Sequence, residues 1–191
     1  MNATATATVN TSAASNYDEA ADYIWNNSFD KPTLVVSRAR VGVQYDALQA
    51  GLGDARIHYA VKANPAPEII RMLVERGSGF DAASRQEIEL CLSQGADPAK
   101  ISFGNTIKRG VDIAFAHSIG VTMFAADCEA ELDKIAEHAP GARVYIRLIV
   151  ENSMADWPLT RKFGCAGSLL PSLLEYTKSV GLVPYGLSFH V

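Results

Sequence analysis

The stretch IHYAVKANP, residues 57–65, continues as APEIIRMLVERGSGFD to residue 81 and reads as strand, helix, strand. Asn64 and Pro65 stop the first apolar run. PEIIRMLVERG is helix-like and closes on a glycine, and GSGFD carries the second apolar run. Working outward, the same unit repeats. Strand-like runs begin near Arg56, Gly79, Ile101, Val121 and Arg143, at spacings of 23, 22, 20 and 22 residues. Between them lie PEIIRMLVERG, SRQEIELCLSQG, KRGVDIAFAHSIG and CEAELDKIAEHA, three of which end at glycine. Repeats of this length predict parallel strands joined by right-handed crossover helices. A sixth strand, GLSFHV (186–191), follows a further helix, SLLPSLLEYTKSVG. Upstream, YDEAADYIWNN and VGVQYDALQAGL read as helices and TLVVS (33–37) as a short strand.

Two α/β architectures accommodate this pattern, an open doubly wound sheet and a (β/α)8 TIM-type barrel. The even spacing favours the barrel. No GxGxxG fingerprint follows the first strand to support a dinucleotide-binding open sheet. Six strands fall short of the eight that close such a barrel. An incomplete barrel is therefore expected over residues 17–191, behind a disordered tail at residues 1–16 that is rich in Ala, Thr, Ser and Asn.

At 48% hydrophobic and 20% charged, the 191 residues can bury a domain-sized core. The 17 basic and 21 acidic residues give a net charge of −4 without a basic run, which argues against a nucleic-acid surface. No apolar stretch approaches the length of about 18 residues that a membrane span needs. The start lacks the basic and apolar regions of a secretory signal. Cys91, Cys128 and Cys165 are odd in number, far apart and without a CxxC spacing. They read as reduced thiols of a cytoplasmic protein, mostly core filler, and no metal site is expected.

In parallel α/β folds the working residues gather at the C-terminal ends of strands. Lys62, Asp81, Asn105, Asp127, Arg147 and His190 all fall at or near such ends. Each has a purely structural reading. A strand-end lysine is ordinarily solvated, and the two aspartates can cap the next helix. Ser84 with Glu87 matches the S-x-x-E capping box. His190, between Phe189 and Val191, fits a hydrogen-bonded core histidine. Lysine, aspartate, arginine and histidine on one rim nevertheless suggest a site. A lysine in an apolar strand has a recognised use, because desolvation and a cationic neighbour make such an amine a nucleophile for Schiff-base chemistry. Pyridoxal phosphate is held by an amine of this kind, and its ring accepts electrons from a carbanion. The structural alternative is a lysine paired with Asp81 alone.

Three motifs carry a family resemblance: YAVKANP at 59–65, GSGFDAAS at 77–84 with Glu87, and GLSFHV at 186–191. They resemble the fold-type III (group IV) pyridoxal-phosphate decarboxylases of the alanine-racemase-like barrel, which act on ornithine, lysine, diaminopimelate and arginine. NTIKRGVDIAFAHSIGVTMFAADCEAELDKI and ENSMADWPLTRKFG are similar to the ornithine/lysine branch more than to the diaminopimelate one. The resemblance runs from about Tyr23 to Val191. It implies that Lys62 forms the Schiff base with pyridoxal 5'-phosphate and that Asp81 lies beside it. Glu87 and Arg147 would complete a charged network under the cofactor. His190 would stack on the pyridine ring, Ala60 would line the cofactor floor, and Lys162 would pair with the other subunit of a homodimer.

In that family SFHV leads on to a glycine-rich phosphate loop, a glutamate for the pyridine nitrogen and a C-terminal β-domain. None of these is in the sequence, which resembles the N-terminal half of such an enzyme, and TLVVS would join the absent β-domain. The implied activity is decarboxylation of L-ornithine, or L-lysine, to putrescine, or cadaverine, and carbon dioxide in polyamine biosynthesis. The chain would be a fragment of a cytoplasmic homodimeric enzyme acting on a small amino acid. The alternative is a truncated, non-catalytic homologue or subunit that associates with a partner chain. A diaminopimelate decarboxylase or a racemase of the same fold fits DWPLTRKFG less well.

Overall fold

The computed structural model describes residues 16–150 and 162–190. They fall into two compact units that divide after Ala55. The first holds helices α1 (Asn16–Trp25) and α2 (Arg38–Leu52). Helix α2 starts three residues before the predicted position because the Ser37 hydroxyl caps it, accepting from the Arg40 N–H at 3.3 Å. The predicted TLVVS strand is not formed: residues 33–36 lie outside regular structure, with Leu34 84% exposed. A strand is defined by its ladder, and among the described residues nothing pairs with this segment.

The second unit alternates strand and helix throughout. It runs β1 (His58–Ala60), α3 (Pro67–Glu75), β2 (Gly79–Ala82), α4 (Arg85–Ser93), β3 (Ile101–Phe103) and α5 (Gly110–Ser118). It continues with β4 (Met123–Ala126), α6 (Glu129–His138), β5 (Arg143–Arg147), α7 (Leu170–Ser179) and β6 (Val183–Ser188). All six strands are parallel, and their order in the sheet is β1-β2-β3-β4-β5-β6. A doubly wound sheet reverses its strand order at a switch point. This one does not, so the sheet is an arc of a (β/α) barrel. Among the described residues β1 and β6 are its edges.

Three strands begin elsewhere than predicted: β1 starts at His58, two residues after Arg56. Strand β4 starts at Met123, and β6 starts at Val183, ahead of Pro184, instead of at Gly186. Proline is tolerated because β6 is an edge strand. A register shift opposite Val144 and Tyr145 then realigns Gly186 with Tyr145.

Local chemistry explains the repeat. The Asn64 side chain accepts from the Ala66 N–H at 3.1 Å, and Pro67 occupies the first turn of α3, where its missing N–H costs no intrahelical bond. Helix α3 closes at Gly77 (φ +80°), whose N–H bonds the Val74 carbonyl while the Ser78 N–H bonds that of Leu73. That pair of bonds is a Schellman motif and needs the left-handed conformation glycine supplies. The same pair closes α4, α5 and α7.

The core lies between sheet and helices. Phe80, Ile101, Phe103, Phe124, Val144 and Ile146 pack there against Ile70, Leu73, Ile88, Ile113, Leu132 and Ile135, none more than 2% exposed. Strand β5 shows the division: Val144 and Ile146 are buried, whereas Arg143, Tyr145 and Arg147 are only half-buried. The sheet's other face, the inner face of the arc, is therefore more polar and more open. Among the described residues no helix is long and apolar enough to cross a membrane.

Candidate active site

Strand register gathers the site. Ala60 aligns with Asp81, and Asp81 with Ser102. Aligned residues of parallel strands point to one face, and Tyr145 and Arg147 of β5 share it, as does Ser188 of β6 opposite Arg147. Lys62 follows Ala60 by two residues. It is not in the strand, as the apolar run predicts, but in a single 3-10 turn, Val61–Ala63, immediately past β1. The burial expected of it falls to Val61, which is 0% exposed, while Lys62 itself is exposed. The turn is braced: Val61 is sunk in the core, and the Tyr59 hydroxyl donates to the Asn64 carbonyl at 3.2 Å. Burial pushes the Tyr59 hydroxyl above its ordinary pKa, against that backbone bond. Among the described residues the Lys62 amine has neither hydrogen-bond partner nor counter-ion, so its predicted pairing with Asp81 alone is not present.

Asp81 is half-buried, within β2 instead of at its end. Its Oδ1 accepts from the Ser102 hydroxyl at 2.9 Å. The Tyr145 hydroxyl, on the same face, is held above its ordinary pKa by burial first and then by the Asp81 charge, opposed by the nearby Ser102 hydroxyl and the Arg147 charge. Gly104 makes room for the carboxylate, since a Cβ there would lie 1.9 Å from Asp81 Oδ1. Arg147 ends β5 with its guanidinium 5.6 Å from the centre of the Phe163 ring. The charges of Asp81 and Arg147 thus act on one tyrosine, a coupling the sequence did not suggest.

The remaining predicted residues divide. Glu87 closes a capping box: Ser84 Oγ accepts from the Glu87 N–H at 3.3 Å, and Glu87 Oε2 accepts from the Ala83 N–H at 2.7 Å. Among the described residues it forms no ion pair with Arg147. His190 lies two residues beyond the end of β6 and is exposed, so it is not the core histidine that one reading expected. The ladder stops at Ser188 and leaves it on the rim. Lys162 is exposed and lines an open cleft of about 340 Å³ with Ile107, Asp127, Cys128, Ile149, Phe163 and Gly164. Asp127, just past β4, anchors that cleft by accepting from the Gly164 N–H at 2.9 Å. Lys62 and Asp81 do not line it. Of ENSMADWPLTRKFG, residues 151–161 lie outside the described residues.

Sequence reasoning missed the most buried charges. Lys108, 4% exposed, donates to the carbonyls of Asn105 (2.8 Å) and Ala125 (2.6 Å) and pairs with Glu131 at 2.8 Å. Lys134 pairs with the other oxygen of Glu131. Burial lowers the pKa of Lys108, opposed by Glu131. Of this network only the i,i+3 spacing of Glu131 and Lys134 is visible in the sequence.

The barrel arc thus carries at its strand rim a lysine that among the described residues has no ion pair, and on its inner face a carboxylate and a guanidinium. The chain belongs to the pyridoxal-dependent decarboxylases, matching the model of their pyridoxal binding domain over residues 38–191. It is 36% identical over 160 residues to the lysine/ornithine decarboxylase of Selenomonas ruminantium, covering 84% of this chain and 41% of that protein. It is 38% identical over 133 residues to antizyme inhibitor 2 of Xenopus laevis, covering 70% of this chain and 29% of that one. The solved lysine decarboxylase of Selenomonas ruminantium superposes with a TM-score of 0.80 at 33% identity, over 95% of this chain and 47% of that one. Related solved structures hold PLP, one of them with cadaverine. The chain thus spans about two fifths of the length of the curated relatives it matches. The cofactor is pyridoxal phosphate. The residues present fit it: a free primary amine at the rim, a small side chain at Ala60, and opposite charges at Asp81 and Arg147.

Proposed function

We propose that the protein serves the pyridoxal-phosphate-dependent decarboxylation of a basic amino acid, L-ornithine or L-lysine, releasing the corresponding diamine and carbon dioxide in polyamine biosynthesis. The observation that carries this reading is the register that aligns Ala60 with Asp81 on the face shared by Arg147, with Lys62 emerging just above. The bound cofactor supplies the electron sink for the carbanion left by carbon dioxide. Lys62 holds the cofactor through its amine, and Ala60 leaves space for the ring. Asp81 and Arg147 set the charge around it, and His190, on the rim, covers its face. Glu87 acts at one remove by fixing the turn from β2 into α4. Lys162 contributes to a homodimer contact at the Asp127 cleft. A cytoplasmic location belongs to the same reading.

The test is cofactor trapping followed by product analysis. The chain is loaded with pyridoxal phosphate, reduced with borohydride, digested and mapped by mass spectrometry. The adduct is expected on the peptide containing Lys62 and is lost in Lys62→Ala; an adduct retained at full yield in that variant would overturn the assignment. L-ornithine, L-lysine and L-arginine are then compared by release of carbon dioxide and amine. Turnover of L-arginine alone would overturn the substrate class proposed.

A second reading has its own support. Val183, Tyr185, Leu187 and Phe189 on and beyond β6 are 47%, 52%, 51% and 60% exposed, on an edge that is unpaired among the described residues. Such an edge favours association with another chain, as a non-catalytic homologue or subunit would require. Trapping at Lys62 without turnover of any amino acid is the outcome this reading expects.

A further inference from the structure

On the inner face a buried serine to which the proposed chemistry assigns no part holds Asp81. Ser102 is 4% exposed, aligned with Asp81, and gives its hydroxyl proton to Asp81 Oδ1 at 2.9 Å. Tyr145 shares this face, because Ser102 aligns with Met123 and Met123 with Arg143 in the strand that carries Tyr145. The backbone has been cleared for the carboxylate at Gly104. We propose that Ser102 is a positioning residue: its buried hydroxyl locks the Asp81 carboxylate on the inner face beside the strand that delivers Lys62. The inference rests on the reading that Lys62 holds pyridoxal phosphate.

The physical basis is directional. A half-buried carboxylate with free rotation offers its charge to no fixed point. A charge-assisted hydrogen bond from a nearly inaccessible hydroxyl fixes one oxygen and leaves the other free toward the site. Ser102 has one proton, and its 2.9 Å contact with Asp81 is shorter than the 3.4 Å one with the Phe80 carbonyl. Tyr145 shares the face as a neutral hydroxyl, because burial and the Asp81 charge hold its pKa up.

Five variants test this: Ser102→Ala, Ser102→Thr, Ser102→Cys, Tyr145→Phe and Asp81→Asn. Pyridoxal phosphate affinity is measured by equilibrium dialysis on each. Loss of one hydrogen bond to a charged group predicts about tenfold weaker binding in Ser102→Ala. Ser102→Thr, which keeps the hydroxyl, restores the wild-type value, a rescue that simple packing at this site would not produce. The second readout needs no cofactor. Ring-labelled tyrosine NMR, with the signal assigned by Tyr145→Phe, is expected to show Tyr145 ionising after the exposed tyrosines, and earlier in Asp81→Asn. Circular dichroism confirms folding, and the near-isosteric Ser102→Cys carries the affinity test if Ser102→Ala does not fold. Unchanged affinity in Ser102→Ala, with Lys62 still trapped by borohydride in the wild type, overturns the positioning role and leaves the cofactor reading intact. Absence of any Lys62 adduct in the wild type overturns both.

Discussion

A lysine in an apolar run can be a buried charge or a delivered one, and here the two roles fall to different residues. Lys62 is exposed on a turn whose neighbour Val61 is fully buried, whereas Lys108, unremarked in its sequence context, is the one sealed inside. Replacing Lys62 by Ala should therefore shift stability by no more than about 0.5 kcal/mol in urea unfolding while abolishing cofactor trapping. Gly104→Ala should do the opposite kind of damage. A Cβ 1.9 Å from Asp81 Oδ1 must push the carboxylate off Ser102. Expected are a stability loss of about 0.5–1.5 kcal/mol for the lost bond and weaker binding of pyridoxal phosphate by dialysis. The thiols also differ one by one. Cys128 is exposed and Cys91 and Cys165 are buried, so iodoacetamide should label Cys128 first under native conditions. Burial, with Glu87 nearby, pushes the Cys91 thiol up from 9.0 to about 12. The folded chain then keeps a proton that the unfolded chain releases. Between pH 9.0 and about 12 the unfolded state binds fewer protons, so stability falls as pH rises. The pH slope of the thermal midpoint should be shallower in Cys91→Ala.

At the scale of elements, short strands are held by what surrounds them. Strands β1 and β3 have three residues each, too few to persist without a ladder neighbour and the helices that cover one face. The lead into α5 is tied to α6 by the Lys108–Glu131–Lys134 network, which also reaches the end of β4 through the Ala125 carbonyl. Glu131→Ala strands the Lys108 charge in the core and should cost about 3–5 kcal/mol. The double change Lys108→Met with Glu131→Leu should recover most of that, because the desolvation cost disappears with the charges. Removing the exposed Arg85–Glu89 pair, 39% and 45% exposed, should cost no more than about 0.5 kcal/mol. Urea unfolding of the three variants checks the order, and equal losses would contradict it.

At the scale of the whole molecule, the β6 edge, unpaired among the described residues, and its exposed Val183, Tyr185, Leu187 and Phe189 predict concentration-dependent association of this chain. Sedimentation velocity should show a rising average mass, reduced by Leu187→Lys; a constant monomer mass would refute it. What the sequence determined by itself was the succession of elements. Glycine stops, the Asn64–Pro65 break and repeats of about twenty residues are local chemistry, legible without a fold. They announced parallel strands, and the motifs around Lys62 announced the cofactor. Only the tertiary structure decided the rest. Ladder partners determine what is a strand, so TLVVS is not one and β6 runs back through Pro184. The order of strands, not their number, separates the barrel arc from the doubly wound sheet. Burial and pairing arise between segments distant in sequence, which is why Lys62 lies open, Lys108 lies sealed against Glu131, and Asp81 is held by a serine that no local pattern marked.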